Sequence, residues 1–139
     1  MYKLTIDTFE CREATGERCC ESQDFYDRMQ EITKVSQEVF GIFTLNQKNQ
    51  IIDRHIVHMG TVTQVIVHPR EVYRHAIADG AVSIVLMHNH PSGDLTPSRE
   101  DKSLTTRMVE AGKIIGIPVL DHLIVSSNGY FSFVDEGIL

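Results

Sequence analysis

The sequence predicts an α/β domain with a mixed sheet and helices on both faces of that sheet. Segments with strand periodicity alternate with segments of helical periodicity along the chain. Residues 81–87 form a continuous apolar run of strand length, which is typical of a strand buried on both faces. Near the C-terminus, two strand-like segments flank Asn128-Gly129, a favoured antiparallel turn.

The first half of the chain is predicted to hold three strands and one helix. Residues 2–7 alternate apolar and polar side chains as a half-buried strand does, and a polar loop follows over residues 11–21. Ser22 is predicted to cap a helix, because the apolar side chains after it recur at helical spacing at Phe25, Met29 and Ile32. Two antiparallel strands are predicted next, at residues 38–45 and 51–58, with a polar turn between them.

The second half is predicted to hold two helices and three strands. Pro69 suits the first position of a helix that ends at Gly80, after a loop at residues 60–63. The buried strand at 81–87 precedes a second amphipathic helix, which Gly116 and Pro118 close. The apolar stripe of this helix contains Leu104, Met108, Ala111 and Ile115. The last two strands are predicted at residues 119–125 and 130–133.

Length and composition indicate one globular domain over residues 1–139, without a repeat or a linker. Apolar residues make up 42% of the chain, but no apolar run is long enough to span a membrane. The N-terminal residues lack the apolar stretch of a signal peptide, so a cytoplasmic location is expected. Three cysteines, an odd number and without C-x-x-C spacing, predict reduced thiols rather than disulfides or a cysteine metal site.

The charge balance argues against direct binding to nucleic acid. The formal net charge is −6, and the sequence contains no run of basic residues that would neutralise phosphates. A basic patch assembled only by folding stays open at this point. No membrane partner is predicted either.

Residues 88–101 carry the pattern H-x-H-P-x6-S-x-x-D, which predicts a metal site. His88 and His90 stand two residues apart at the end of the buried strand, so their side chains share one face. Pro91, Gly93 and Pro97 bend the chain, and Ser98 then opens a helix with Asp101 in its first turn. Two imidazoles and one carboxylate suit Zn²⁺ and leave a fourth position open for water.

Each piece of this pattern also has an ordinary explanation. A histidine pair by itself is more often a surface or core feature than a ligand set. Ser98 and Asp101 also form a usual helix start, in which serine caps the helix and the helix dipole favours the carboxylate. The combination of all these residues in one window after a buried strand favours the metal site, and capping is compatible with ligation.

A site that activates water needs a proton acceptor, and the sequence offers three glutamates as candidates for that role. Glu100 adjoins Asp101, but successive side chains of a helix are rotated by about 100° around its axis. The Glu100 side chain is therefore expected to point away from the site. Glu71 stands in the first turn of its helix, where the helix dipole explains it. Glu38 opens an apolar strand, where a carboxylate needs a partner, but plain exposure at the strand end explains it equally well. The residues alone leave this choice open.

Three segments together resemble the RadC-like branch of the JAB/MPN (JAMM) metalloprotease superfamily. They are Glu38-Val39-Phe40-Gly41, the pattern at 88–101 and Leu120-Asp121-His122-Leu123-Ile124, and the resemblance covers roughly residues 35–133. It implies a cytidine-deaminase-like, three-layer α/β/α sandwich. It also implies zinc held by His88, His90 and Asp101, Glu38 as general acid and base, and Ser98 as a donor to the oxyanion.

The activity that this resemblance implies is zinc-dependent hydrolysis of a peptide or isopeptide bond in a peptide or protein substrate. Two alternatives remain: a non-catalytic interaction scaffold of the same fold, and the DNA-repair role that the family label suggests. RadC-like proteins often carry an N-terminal helix-hairpin-helix module, and the residues before Val35 are too few for one. The relatives that cleave ubiquitin carry insertions that bind the substrate, and this sequence shows no equivalent of them. The resemblance therefore does not indicate the substrate.

The other histidines have weaker signals. His122 follows Asp121 in a core strand, where a hydrogen-bonded structural histidine is favoured over a role in supporting the metal ligands. The histidines at positions 55, 58, 68 and 75 form no set with ligand spacing and are expected to be ordinary.

Overall fold

The structure, a computed structural model, describes residues 14, 16, 18–63 and 66–139. The predicted strand at 2–7 and part of the loop at 11–21, including Cys11, lie outside the described residues. The helical elements are α1 (Ser22–Asp27), a 3₁₀ segment (Gln30–Lys34), α2 (Pro69–Ala78) and α3 (Arg99–Ile115). The strands are β1 (Val39–Leu45), β2 (Ile51–Met59), β3 (Ser83–Asn89), β4 (Val119–Ser126) and β5 (Gly129–Ser132).

The described strands form one mixed sheet in the order β2-β1-β3-β4-β5. β3 and β4 are parallel, and the other neighbouring pairs are antiparallel. One face of the sheet packs against α1 and the 3₁₀ segment through Phe25, Met29 and Ile32. The other face packs against α2 and α3, with Tyr73, Leu104 and Met108 in its core. The predicted α/β class with helices on both faces is confirmed, and it is consistent with a JAB/MPN domain.

Strand β3 lies at the centre of the sheet and is buried along its whole length. Its residues alternate between the two faces because side chains have a period of two in a strand. Ile84 and Leu86 join the core under α2 and α3, whereas Val85 and Met87 join the core under α1. The same alternation directs the side chains at the C-terminal end of β3.

Several boundaries differ from the sequence predictions. The N-cap of α1 is Glu21 rather than Ser22, and the Glu21 N–H donates to Asp24 Oδ2 at 3.0 Å. The Ser22 hydroxyl instead contacts Tyr130 Oη at 3.0 Å and donates to Asp135 Oδ2 at 2.5 Å. The prediction of Ser22 as the cap was therefore wrong, because contacts with the distant C-terminal segment engage that hydroxyl.

Two strands extend further than their apolar patterns predict. β3 continues to Asn89, two residues beyond the predicted apolar run, so His88 lies inside the strand at its C-terminal end. In the C-terminal hairpin, Ser126 pairs with Gly129, so the two-residue connection is Ser127-Asn128 rather than Asn128-Gly129. Gly129 has φ +137°, a value that a residue with a side chain rarely adopts.

Helix α3 follows its prediction at both ends. Ser98 is its N-cap and accepts a hydrogen bond from the Asp101 N–H, and Gly116 ends it in the left-handed conformation with φ +84°. Among the described residues, Cys19 and Cys20 form no disulfide. Within the same part of the chain, no helix combines the length and apolarity that a bilayer crossing requires.

Candidate metal centre

His88 is fully buried near the end of β3, where the sheet holds its backbone on both sides. It pairs with Phe40 on β1 and with Ile124 on β4. The alternation of β3 directs its imidazole toward the face covered by α3. The exposed fraction of His88 is 0%, so each ring nitrogen needs a partner inside the protein.

His90 follows β3 directly and is oriented by backbone groups. Its N–H donates to the Val125 carbonyl at 2.9 Å. Its Nδ1 lies 2.6 Å from the Asp94 carbonyl oxygen, which only accepts hydrogen bonds. Nδ1 therefore carries a hydrogen, and Nε2 is left to face the interior of the site. No side-chain pattern could reveal this contact, because the partner is a backbone carbonyl.

Asp101 is brought to the two histidines by the N-terminal turn of α3. The Asp101 N–H donates to Ser98 Oγ at 3.0 Å, and the Ser98 N–H donates to Asp101 Oδ2 at 2.8 Å. This reciprocal capping box holds a carboxylate with an exposed fraction of only 2%. The helix start thus orients the carboxylate that it contains.

The Asp101 carboxylate approaches each imidazole at a separation typical of two ligands of one metal ion. His88 Nε2 lies 3.2 Å from Asp101 Oδ1, and His90 Nε2 lies 3.1 Å from Asp101 Oδ2. Two ligand atoms bound to one tetrahedral zinc at about 2.0–2.2 Å are about 3.3 Å apart. The observed separations are close to that value.

His88 Nε2 gives an independent test of whether a metal ion fits. It is buried, and among the described residues it has no hydrogen-bond partner of acceptable geometry, although Asp101 Oδ1 is only 3.2 Å away. A buried polar atom without a partner is unfavourable by about 1–3 kcal/mol. A cation between this nitrogen and the carboxylate would satisfy both. His88 Nε2 is thus a donor atom open to a metal ion, and with donor atoms of His90 and Glu38 it belongs to a group that could bind one.

Glu38 lies beside this group, one residue before β1 and half-buried. Its carboxylate and the two imidazoles offer atoms that all lie within 4.8 Å of one another. Glu38 Oε2 accepts a hydrogen bond from the Val62 N–H at 3.0 Å. Glu38, His90 and Ser98 line an open cleft of about 310 Å³. Glu38 is thus placed either as a further ligand or as a proton acceptor at the site.

The segment that carries Glu38 is held by Asn89, a residue that the sequence reasoning missed. Asn89 Oδ1 accepts from the Val39 N–H at 2.6 Å, and its Nδ2 donates to the Gln37 carbonyl at 3.0 Å. These two bonds flank Glu38. Asn89 stands between the two histidines in sequence, so strand alternation directs its side chain to the opposite face of the sheet. This alternation is the sequence signal that could have indicated a role for Asn89 other than binding the metal.

His122 and Thr105 continue the hydrogen bonding behind His88. His88 Nδ1 lies 3.1 Å from His122 Nε2, and His122 Nδ1 lies 2.6 Å from Thr105 Oγ1. The Thr105 hydroxyl donates to the Asp101 carbonyl at 2.6 Å. His122 is hydrogen-bonded and buried as the sequence indicated, and its partner is one of the motif histidines. Thr105 was missed, although it stands one helical turn after Asp101.

The electrostatics of the group favour a charged carboxylate. Burial raises the pKa of Asp101, but the nearby imidazoles of His88 and His90 and the hydrogen bond from the Ser98 N–H outweigh it and hold that pKa well below its ordinary value. The hydrogen bond with Asp101 raises the pKa of His90, and burial partly opposes that shift. Burial keeps the pKa of His122 well below 6.5, so its ring is neutral.

The other glutamates and histidines lie elsewhere. Glu71 forms a surface ion pair with Arg74 at 3.4 Å, and Glu100 is exposed. His55 Nε2 lies 2.6 Å from Asp79 Oδ2, which joins β2 to the end of α2. With Asp53 these two form a second group whose donor atoms lie within 4.8 Å of one another. His55 has no ligand spacing in the sequence, and tertiary packing brings its two partners to it.

The fold and the site together define an α/β protein of the JAB/MPN type with a group that could bind a metal ion. Comparison with known proteins agrees with this class: residues 19–138 match the family described as the RadC-like JAB domain. The chain belongs to this family.

Similar proteins include UPF0758 proteins from bacteria and an archaeon. The chain is 54% identical over 105 residues to one from Symbiobacterium thermophilum, which covers 76% of this chain and 45% of the relative. It is 47% identical over 111 residues to one from Desulforamulus reducens, covering 80% and 49%. It is 41% identical over 135 residues to one from Methanosarcina barkeri, covering 96% and 58%. The chain thus spans about half the length of these relatives, and their names state no activity.

Proposed function

We propose that this domain is a zinc-dependent hydrolase that cleaves a peptide or isopeptide bond. The observation that supports it best is the buried Nε2 of His88, which faces the Asp101 carboxylate at 3.2 Å without a hydrogen bond. The nitrogen and oxygen donors, and the distances between them, are those that zinc prefers. Membership of the RadC-like JAB family adds support, because hydrolysis is common in the JAB superfamily.

His88, His90 and Asp101 would hold the zinc ion. Bound zinc supplies Lewis acidity, which polarises a substrate carbonyl and makes a water molecule more acidic. The hydrogen bonds to the Asp94 carbonyl and to His122 leave the Nε2 atoms of both histidines directed inward. The capping bonds with Ser98 hold the carboxylate between them.

Glu38 would accept a proton from water and deliver it to the amine that leaves. Its side chain lines the cleft beside His90, and the bond from the Val62 N–H orients one of its oxygens. A positioned general acid and base contributes about 10²–10⁴-fold to the rate.

Ser98 would donate its hydroxyl hydrogen to the oxyanion. Its Oγ accepts from the Asp101 N–H and still has its own hydrogen to give. The substrate would be a peptide or protein met in the cytoplasm. The net charge of −6 favours such a substrate over nucleic acid.

The test compares wild type with Glu38→Gln and with the control Glu100→Gln, which changes an exposed glutamate beside Asp101. Metal content is measured for each protein, and each is then assayed on libraries of peptides and isopeptide-linked peptides. We expect Glu38→Gln to keep one equivalent of zinc and to lose activity about 100-fold or more, because an amide does not accept the proton. Glu100→Gln should match wild type in both measurements.

The other outcomes separate the alternatives. Near-normal turnover of Glu38→Gln would remove Glu38 from the mechanism, whereas loss of metal would make it a ligand. A wild-type protein that holds zinc tightly but cleaves nothing in either library would favour the interaction scaffold.

A further inference from the structure

We propose that Thr105 and His122 are positioning residues: they fix which nitrogen of His88 carries hydrogen and leave the bare Nε2 facing Asp101. This inference rests on the proposed metal site, for which a bare Nε2 is the form of histidine that binds metal.

The direction of the hydrogen bonds is set at Thr105. Its Oγ1 lies 2.6 Å from the Asp101 carbonyl oxygen. A carbonyl has no hydrogen, and two oxygens at this distance repel each other unless a hydrogen lies between them. The hydroxyl hydrogen of Thr105 therefore points to Asp101. Its Oγ1 must then accept the hydrogen bond from His122 Nδ1, which lies 2.6 Å away.

The same reasoning passes through His122 to His88. A neutral imidazole carries one hydrogen, and in His122 that hydrogen lies on Nδ1. His122 Nε2 is thus an acceptor, and it accepts from His88 Nδ1 at 3.1 Å. A neutral His88 with its hydrogen on Nδ1 has a bare Nε2. The opposite direction would place a hydrogen on His88 Nε2, where the geometry toward Asp101 forms no hydrogen bond.

The surroundings keep the His122 ring in place. Phe133 stacks on it with a centroid distance of 4.7 Å and an interplanar angle of 17°. Phe40 contacts its edge with a centroid distance of 6.0 Å. His122 is fully buried and Thr105 nearly so. The hydrogen bonds that run from His88 through His122 and Thr105 end at the backbone carbonyl of Asp101. Asp101 therefore contributes its carboxylate to the site and, through its carbonyl, helps to orient His88.

The test is Thr105→Val, which removes the hydroxyl at nearly constant shape. Thr106→Val is a matched control on the same helix, because the Thr106 hydroxyl donates to the carbonyl four residues earlier, that of Lys102, at 3.0 Å on the exposed side. Thr105→Ser restores the hydroxyl. Circular dichroism and thermal melts of all variants establish that each is folded.

The first measurement is ¹⁵N NMR of the histidine rings in the metal-free protein, which reports the nitrogen that carries hydrogen. We expect hydrogen on His88 Nδ1 in wild type, Thr105→Ser and Thr106→Val. In Thr105→Val we expect a mixture of both forms, because His122 Nδ1 has lost its acceptor. This measurement needs neither metal nor substrate.

The second measurement is zinc affinity, by competition with a chromophoric chelator. Thr105→Val should bind zinc about 10–100-fold more weakly, as is typical when a partner of a metal-binding histidine is removed. Hydrogen on His88 Nε2 in wild type, or equal behaviour of Thr105→Val and Thr106→Val, would overturn the inference. A wild type that binds zinc with the expected ring form but hydrolyses nothing would contradict the proposed function alone.

Discussion

Each donor atom of the candidate metal centre belongs to a side chain that is already held at another atom. His90 is held by the Asp94 carbonyl, His88 by His122, and Asp101 by the backbone of Ser98. Such contacts limit the rotamers of the donors before any ligand arrives, so less conformational entropy is lost on binding.

Replacing Asp101 by Asn tests its role as a ligand. The amide keeps the size of the side chain but removes the charge. Zinc affinity should therefore fall more than about 100-fold, since removing only the hydrogen-bond partner of a metal ligand already lowers affinity about 10–100-fold. The variant should still fold, since an Asn side-chain oxygen still accepts from the Ser98 N–H. Metal analysis after washing with a chelator measures the effect. A full equivalent of tightly bound zinc in Asp101→Asn would contradict the assignment.

Ser98 separates capping from catalysis. As a cap alone, Ser98→Ala should lower the free energy of unfolding by about 1 kcal/mol, and Ser98→Asp should be almost neutral. As an oxyanion donor, Ser98→Asp should be folded and zinc-loaded but nearly inactive, because it adds negative charge where negative charge develops. Thermal melts, metal content and turnover of both variants decide between the two roles. Wild-type turnover by a zinc-loaded Ser98→Asp would leave Ser98 as a cap only.

The pKa shifts of His90 and Asp101 predict how the stability of the metal-free protein varies with pH. The raised pKa of His90 gives a contribution that is complete below 6.5 and is lost as the pH rises through the higher folded value. The lowered pKa of Asp101 gives a contribution that is present above 3.8 and is lost as the pH falls. The stability difference between metal-free wild type and Asp101→Asn should therefore be largest between 3.8 and 6.5. Thermal melts across the pH range measure it, and a difference that keeps growing above neutral pH would contradict it.

At the scale of the elements, the alternation of β3 directs residues with different roles to the two faces of the sheet. His88 faces α3 and the metal group, whereas Asn89 faces the other side and binds the backbone on either side of Glu38. The strand thereby joins two parts of the site that are 50 residues apart in sequence. Gly41 on β1 allows close packing there, since an added Cβ would lie 2.5 Å from the His55 carbonyl oxygen.

Asn89→Ala should therefore affect Glu38 without affecting the metal. Loss of the amide leaves the buried Val39 N–H without its partner, which lowers the free energy of unfolding by about 1–3 kcal/mol. We expect hydrolysis to decrease while zinc content is retained, because the side chain points away from the histidines. Denaturant unfolding, turnover and metal content are the measurements. Loss of zinc, with unchanged turnover for each zinc ion that remains bound, would contradict this prediction.

At the scale of the whole molecule, α2 and α3 must pack closely on the face that carries the metal group. The Tyr73 hydroxyl lies 3.1 Å from both the Met108 and the Ile117 carbonyls, and burial raises its pKa to about 12. Gly112 makes room for this contact, since an added Cβ would meet the Tyr73 hydroxyl and would lie 2.7 Å from the Ile117 carbonyl oxygen.

Gly112→Ala should consequently destabilise the protein by about 1–3 kcal/mol, as overpacking in a core does. The sign is diagnostic, because a glycine to alanine change in an unconstrained helix interior stabilises by about 1 kcal/mol. Thermal melts report the change, and zinc content should be unchanged since Gly112 is far along α3 from Asp101. A raised melting temperature would show that the α2–α3 contact is looser than the structure indicates.

The sequence by itself determined the features that depend on neighbours along the chain. The apolar run of β3, the periodicity and end signals of α3, and the clustering of His88, His90, Ser98 and Asp101 follow from local rules, because strand alternation and helix capping act over a few residues. The α/β class followed from the order of these segments.

Only the tertiary structure decided the contacts between distant segments. Ser22 bonds to residues near the C-terminus instead of capping α1, His122 supports His88, and Asn89 holds the backbone around Glu38. The choice among Glu38, Glu71 and Glu100 was open in the sequence, and the folded chain brings Glu38 beside the histidines. These contacts depend on strand register and on the packing of helices against the sheet, which join residues that local periodicity does not relate.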